Sequence, residues 1–288
     1  MKIIKKLALG LSVAAATQMV HAADTGFDLA TVDPEADRIA LQNYFKSRFP
    51  QAEVSDYVNG IYAVDASSRE QWEELEEFPP YEFAVEEGET LFNTPFANGK
   101  GYADCFENGG EGIRQNYPRW DKEAGTVKTL EMEINECREA NGEKPLKWAK
   151  GDIAKISAYM AWTSRDKTIN IEIPQDDPRA KAAYLDGKKF FYAKRGQLNL
   201  SCANCHVQGS NIRIRADLPS PQLGHTTHFP VFRSKWGELG TLHRRYKGCH
   251  KDSRSKPLKH QVEVYRNLEY FQSYMNNGLV VNGPGARK

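Results

Sequence analysis

Apolar positions in this chain recur mostly at helical spacing, and strand-like alternation is sparse. The pattern predicts a helix over 36–49 and amphipathic helices beginning at Val85-Glu86-Glu87-Gly88 and at Tyr184-Leu185-Asp186-Gly187. Two further helical stretches read IAKISAYMAW, containing Tyr159-Met160, and LEYFQSYMNN, containing Tyr274-Met275. The acidic run 70–77, closed by Pro79-Pro80, reads as a surface segment, and 206–235 shows little periodicity. The expected fold is mainly α with long loops.

The pattern occurs twice. In one stretch Cys105 follows Gly88 by 17 residues; in the other Cys205 follows Gly187 by 18. Thr129-Leu130 leads to Cys137 and Thr241-Leu242 leads to Cys249, each cysteine eight residues after its threonine. Each copy then closes on a helical Tyr-Met. Several matches in one order argue for duplication. A helix, a cysteine loop, a middle region and a closing helix resemble the layout of a small cytochrome c domain. The turn-rich Ile173-Pro174-Gln175-Asp176-Asp177-Pro178 divides the copies. We therefore expect an N-terminal extension over 23–80, a first unit over 81–172 and a second over 173–288. The extension is expected to wrap the first unit.

Residues 1–22 carry Lys2, Lys5 and Lys6, a short apolar stretch from Leu7 to Ala16, and Val20-His21-Ala22. That is the form of a secretory signal peptide cleaved near Ala22, too short for a membrane span. Export to the periplasm and no membrane span are the expectations. Charge is divided: residues 23–180 hold 17 basic and 32 acidic side chains, residues 181–288 hold 19 and 6. An exported basic half suits an anionic substrate or acidic partner, not nucleic acid.

Cys202-Ala203-Asn204-Cys205-His206 is a c-type haem attachment sequence. Two cysteines one turn apart can each form a thioether with a haem vinyl group, and the next histidine can ligate iron. A bare CxxC would leave zinc or dithiol chemistry open; the adjacent histidine and the export leader favour haem. The first copy has Tyr102-Ala103-Asp104-Cys105-Phe106 at that place, without the first cysteine or the histidine. It should hold no haem, so one haem c per chain is expected. Cys105 and Cys137 survive there, and a disulfide between them would replace the cofactor as a staple; the alternative is two buried unpaired thiols.

That leaves Cys249 without a partner. Candidates for the second axial position are Cys249, His225, His228, His243, His250 and, less suited, Met275 in the closing helix. The two-copy alignment favours Cys249. Its context, Leu242-His243-Arg244-Arg245-Tyr246-Lys247-Gly248-Cys249-His250, surrounds one thiol with basic groups that favour a thiolate. Arg245 would share a helical face with it unless Gly248 ends the helix first.

The GETLF segment at Gly88, GQLNLSCANCH, GHTTHFPVFRSKWGELGTLHRRYKGCH and the terminal GLVVNGPGAR together resemble the SoxA family, catalytic cytochromes of bacterial thiosulfate oxidation. The resemblance implies His206 and Cys249 as axial ligands, Cys249 often carried as a persulfide, and Arg245 as the active-site arginine. It also implies a small cytochrome partner, SoxX, and a carrier protein, SoxYZ, whose cysteine is joined oxidatively to thiosulfate. Tyr102 and Phe106 place the chain with the single-haem members. Two other readings remain: a plain electron-carrier cytochrome c, and a thiosulfate dehydrogenase that forms tetrathionate.

Overall fold

A computed structural model describes residues 29–287, so the expected leader, 1–22, lies outside the described residues. In chain order the helices are α1 (Pro34–Arg48), α2 (Ala66–Glu76), α3 (Glu82–Asn93), α4 (Leu130–Ala140), α5 (Asp152–Trp162), α6 (Pro178–Tyr192), α7 (Leu242–Asp252) and α8 (Glu263–Tyr274). The strands are short: β1 (Arg119–Asp121), β2 (Thr126–Lys128), β3 (Val231–Arg233), β4 (Glu238–Gly240) and β5 (Gly285–Arg287). Among the described residues no helix is long and apolar enough to cross a membrane.

The helices start where local chemistry dictates. Asp33 precedes Pro34 and accepts the Ala36 amide at 3.0 Å; Asp177 precedes Pro178 and accepts the Arg179 amide at 2.9 Å. Both combine a side-chain acceptor for an orphan N–H with a proline at the first helical position. In α4, Thr129 Oγ1 accepts the Met132 amide at 3.1 Å.

The duplication is real in three dimensions, and its register is tight. Tyr117-Pro118 and Phe229-Pro230 are both cis, each followed by a hairpin, β1–β2 and β3–β4. Gly125 and Gly237 turn those hairpins at φ 63° and 65°. Thr129 and Thr241 then stand at the helix starts, and Cys137 and Cys249 at the same place in α4 and α7. Each of these pairs lies 112 residues apart, as 117 is from 229, 125 from 237 and 137 from 249. The closing helices cross alike. A Cβ on Gly88 in α3 would overlap the Lys155 carbonyl of α5, and one on Gly187 in α6 would overlap the Asn267 carbonyl of α8. These crossings pair Tyr159 with Phe271, so the Tyr-Met match read from sequence is one turn out of register.

Two apolar cores result. One gathers Val85, Phe92, Tyr102, Ile134 and Met160; the other Tyr184, Phe191, Tyr265, Leu268 and Phe271. The units trade hairpins across their boundary. Val127 and Trp120 of β1–β2 pack into the second core, while their counterparts Leu239 and Phe232 of β3–β4 pack with the first.

The extension does not wrap the first unit as expected. Leu41 and Phe45 of α1, and Phe49 at its end, belong to the second core. Asp37 is buried against Lys188 at 2.7 Å and accepts Tyr184 Oη at 2.7 Å, both from α6. Its distal end turns to the first unit, where Leu75 packs and Glu76 accepts Tyr81 Oη. Tyrosine, leucine and phenylalanine at α1 spacing reveal a buried face but not which core receives it.

Candidate functional site

Cys105 and Cys137 are joined by a disulfide with Cα atoms 5.8 Å apart, tying the loop before the first hairpin to α4. Cys202, Cys205 and Cys249 are free thiols. In the second unit the equivalent loop carries Cys202-Ala203-Asn204-Cys205-His206, which ends in a π-type turn over Asn204–Gln208. Ser201 and Asn204 fix the start of this turn, the Ser201 amide donating to Asn204 Oδ1 at 2.9 Å.

His206 is buried, and its Nδ1 lies 2.8 Å from the Ser220 carbonyl. A carbonyl can only accept, so the ring proton sits on Nδ1 and Nε2 presents a lone pair. Burial pushes the imidazole down to about 4 against the Ser220 bond, and Arg245 adds to the depression. At neutral pH the ring is therefore uncharged and able to ligate. Burial also raises Cys202 to about 12, with Arg195 opposing and Cys249 reinforcing; Cys205 is raised by burial and by Cys249. These positions favour neutral sulfur, and a thioether is neutral. The mutual influence of Cys202, Cys205 and Cys249 places α7 beside the attachment loop.

Gly248 does not end α7. The helix runs unbroken to Asp252, so Arg245 and Cys249 lie one turn apart on one face, and Arg245 reaches Asp252 at 3.9 Å. The basic run is not a cloud around the thiol, however. His243 is buried 3.2 Å from Glu269, Arg244 pairs with Glu238 at 3.1 Å and lies over Trp236, and His250 packs on Phe190 and Tyr265. That removes His243 and His250 to another side of α7. His225 stacks on His206 itself with ring centroids 4.2 Å apart, and Met275 is fully buried in the core. Cys249 is the candidate that shares a face of α7 with Arg245, and His228 is buried with its Nδ1 unpartnered.

Sequence reasoning missed Arg233. Burial lowers its pKa, Arg245 lowers it further, and Asp217, Cys249 and Asp252 act against them, so it belongs to the same cluster. Its register beside β5 was not readable from hydrophobic spacing. The donor set suits a c-type haem: two closely spaced thiols for thioethers, an anchored imidazole nitrogen, and a third sulfur from a separate helix.

Two comparisons decide the family. The chain is 57% identical over 255 residues to the L-cysteine S-thiosulfotransferase subunit SoxA of Allochromatium vinosum, spanning 88% of this chain and 90% of that protein. It is 56% identical over 254 residues to the protein of that name from Chlorobaculum tepidum, 88% of each. The chain belongs to the SoxA family. A family model described as SoxA/TsdA, cytochrome c domain, matches residues 87–169, which is the unit without the CxxCH sequence. A crystal structure of SoxXA from P. pantotrophus is similar to this SoxA-family fold at a TM-score of 0.69 and 29% identity, covering 78% of this chain and 84% of that one.

Proposed function

We propose that this chain is the catalytic subunit of an L-cysteine S-thiosulfotransferase that joins thiosulfate to a cysteine thiol of a SoxYZ-type carrier in the periplasm. One haem c is held in the second unit, 173–288, through Cys202 and Cys205, with His206 and Cys249 as axial ligands. The first unit, 81–172, carries the Cys105–Cys137 disulfide in place of a cofactor, and a SoxX-type cytochrome is the partner subunit. The observation that carries the reading is the meeting of Cys249 and Arg245, one turn apart on α7, with the anchored attachment loop.

The reaction is an oxidation. A bond forms between the carrier sulfur and the outer sulfur of thiosulfate, the carrier thiol loses its proton, and two electrons leave. When bound, the haem supplies the exit for those electrons. Arg245 and Arg233 hold the dianion: a guanidinium offers paired donors to sulfonate oxygens, and partial burial of Arg233 strengthens the attraction. Cys249 presents a soft sulfur at the place where sulfur is exchanged, and α7 fixes its distance from the anion site.

The test is an assay with thiosulfate, the carrier and an electron acceptor, reading the mass of the carrier. A carrier heavier by one thiosulfate, formed only with the chain present, supports the proposal. Tetrathionate with unmodified carrier would identify a thiosulfate dehydrogenase, and acceptor reduction with no sulfur product would identify an electron carrier.

A further inference from the structure

Among the described residues, β5 carries a guanidinium nitrogen closed off from solvent without a hydrogen-bond partner, Nη2 of Arg287. β5 lies parallel to β3, with Arg287 in register with Arg233 and Gly285 with Val231. Register neighbours on adjacent parallel strands project to the same face of a sheet. Ala286 and Phe232, the alternate pair, turn to the first core, so the two arginines turn away from it toward the second unit. Arg287 lies over Tyr62 at 4.8 Å and donates through Nη1 to the Ala286 carbonyl at 2.7 Å. Its Nη2 is closed off from solvent and has no hydrogen-bond partner. Among the described residues no carboxylate lies within ion-pair distance of it; Glu76, whose charge acts on it together with Tyr62 and Tyr81, spends its hydrogen bonds on Tyr81, Trp72 and the Ala286 amide.

The place of that orphan is informative. A Cβ built on Gly285 would stand 3.2 Å from His228 Cβ and 3.4 Å from Arg287 Nη1. One built on Gly60 would stand 3.9 Å from Arg287 Nη2 and 3.6 Å from Ser220 Cβ. The guanidinium is thus bracketed by His228 and Ser220, and Ser220 is the residue whose carbonyl anchors His206. His228 Nδ1 is likewise buried without a partner. An enclosed guanidinium nitrogen with no acceptor is unfavourable, and an anionic oxygen would satisfy it.

We propose that Arg287 receives a propionate carboxylate of the haem attached at Cys202 and Cys205. The inference rests on the haem reading above. A propionate fits because Arg287 stands beside Ser220, whose carbonyl anchors His206, while Arg245 on α7 is the cation assigned above to the sulfur substrate.

The test uses purified full-length chain, with its mass reporting covalent haem, and potentiometry from pH 5 to 8 without thiosulfate. A propionate that loses its cation stabilises the ferric state and titrates at higher pH. Arg287→Gln is therefore expected to move the midpoint potential negative and to add a slope with pH that the parent lacks. Arg287→Lys, which keeps the charge but not the fork, should move it the same way by less. If Arg287→Gln fails to load haem, the Arg287→Lys titration decides. A loosened fold alone would lower the melting temperature without the slope. Parent chain carrying haem, with variants unchanged in potential and slope, overturns this proposal and leaves the haem reading standing. Parent chain without haem overturns both.

Discussion

At the scale of single residues, the chemistry depends on a distinction between a ligand and an anion holder. Cys249 stands on α7 where Cys137 stands on α4. One sulfur closes a disulfide, and the other is left free at a site whose remaining thiols favour the neutral state. Cys249→Ala should stop thiosulfate transfer and remove sulfur-to-iron charge transfer from the optical spectrum, while the mass still shows covalent haem. Retention of both signals would move the axial ligand elsewhere. Arg245→Ala should keep the spectrum but slow turnover by roughly 10–100-fold, the loss of about 1.5–3 kcal/mol of charged hydrogen bonding. Arg245→Lys should recover only part of it, since an ammonium makes no paired contact. Cys202, Cys205, His206 and Cys249 are the residues the sequence singles out, because attachment and duplication leave fixed spacings. Arg233 and Arg287 are not: their relation is a strand register formed across 54 residues of chain (233 to 287), and no local pattern encodes it.

At the scale of elements, sequence and structure agree where a helix is specified locally and part where tertiary contact decides. The helix expected over 36–49 forms as Pro34–Arg48, since Asp33 and Pro34 start it. Gly248 was read as a possible stop, yet α7 passes through it because Ser253 and the following turn provide the true end. The contrast between glycines gives a prediction. A methyl at Gly187 would overlap the Asn267 carbonyl of α8, so Gly187→Ala should cost about 1–3 kcal/mol through forced separation of α6 and α8. A methyl at Gly248 meets only Arg245 Nη1 at 3.7 Å, so Gly248→Ala should stabilise by roughly 0.5–1 kcal/mol from helix propensity. Urea unfolding of the two variants checks the opposite signs; two destabilised variants would refute the account of α7. The disulfide belongs to this scale as well. It closes 32 residues between the degenerate loop and α4, and Cys105→Ala with Cys137→Ala should lower stability by about 3–4 kcal/mol. An unchanged unfolding midpoint in the double variant would show that the packing of Ile134 and Tyr102 suffices without it.

At the scale of the molecule, the two units are interlocked, and their symmetry places unlike side chains at like positions. Val127 enters the second core as Leu239 enters the first, and the caps cross over too: Thr129 Oγ1 donates to Gln261 at 2.9 Å, and Thr241 Oγ1 donates to the Trp148 carbonyl at 2.9 Å. The second residues of α4 and α7 are Glu131 and His243, again 112 positions apart (131 to 243). Both are buried near Glu269 of α8. His243 Nδ1 accepts the Gln261 amide at 3.1 Å, so its ring proton is on Nε2, which lies 3.2 Å from Glu269 without a hydrogen bond. Glu131 accepts Ser157 Oγ at 2.9 Å. Burial raises its carboxyl above the ordinary range and repulsion from Glu269 adds to this, with Arg114 and Ser157 opposing. The folded chain therefore keeps a proton on Glu131 over a window in which the unfolded chain has released it. Stability falls as pH rises through that window, from the ordinary glutamate value to the raised one, and is level above both. Glu131→Gln keeps the Ser157 acceptor and removes the titration, so the variant should match the parent at acid pH and exceed it at neutral pH. The measurement is urea unfolding at intervals from pH 4 to 8, taken as the difference between variant and parent so that other titrating groups cancel. A difference that stays constant across that range would place the cost of this junction in packing and not in the charge on Glu131.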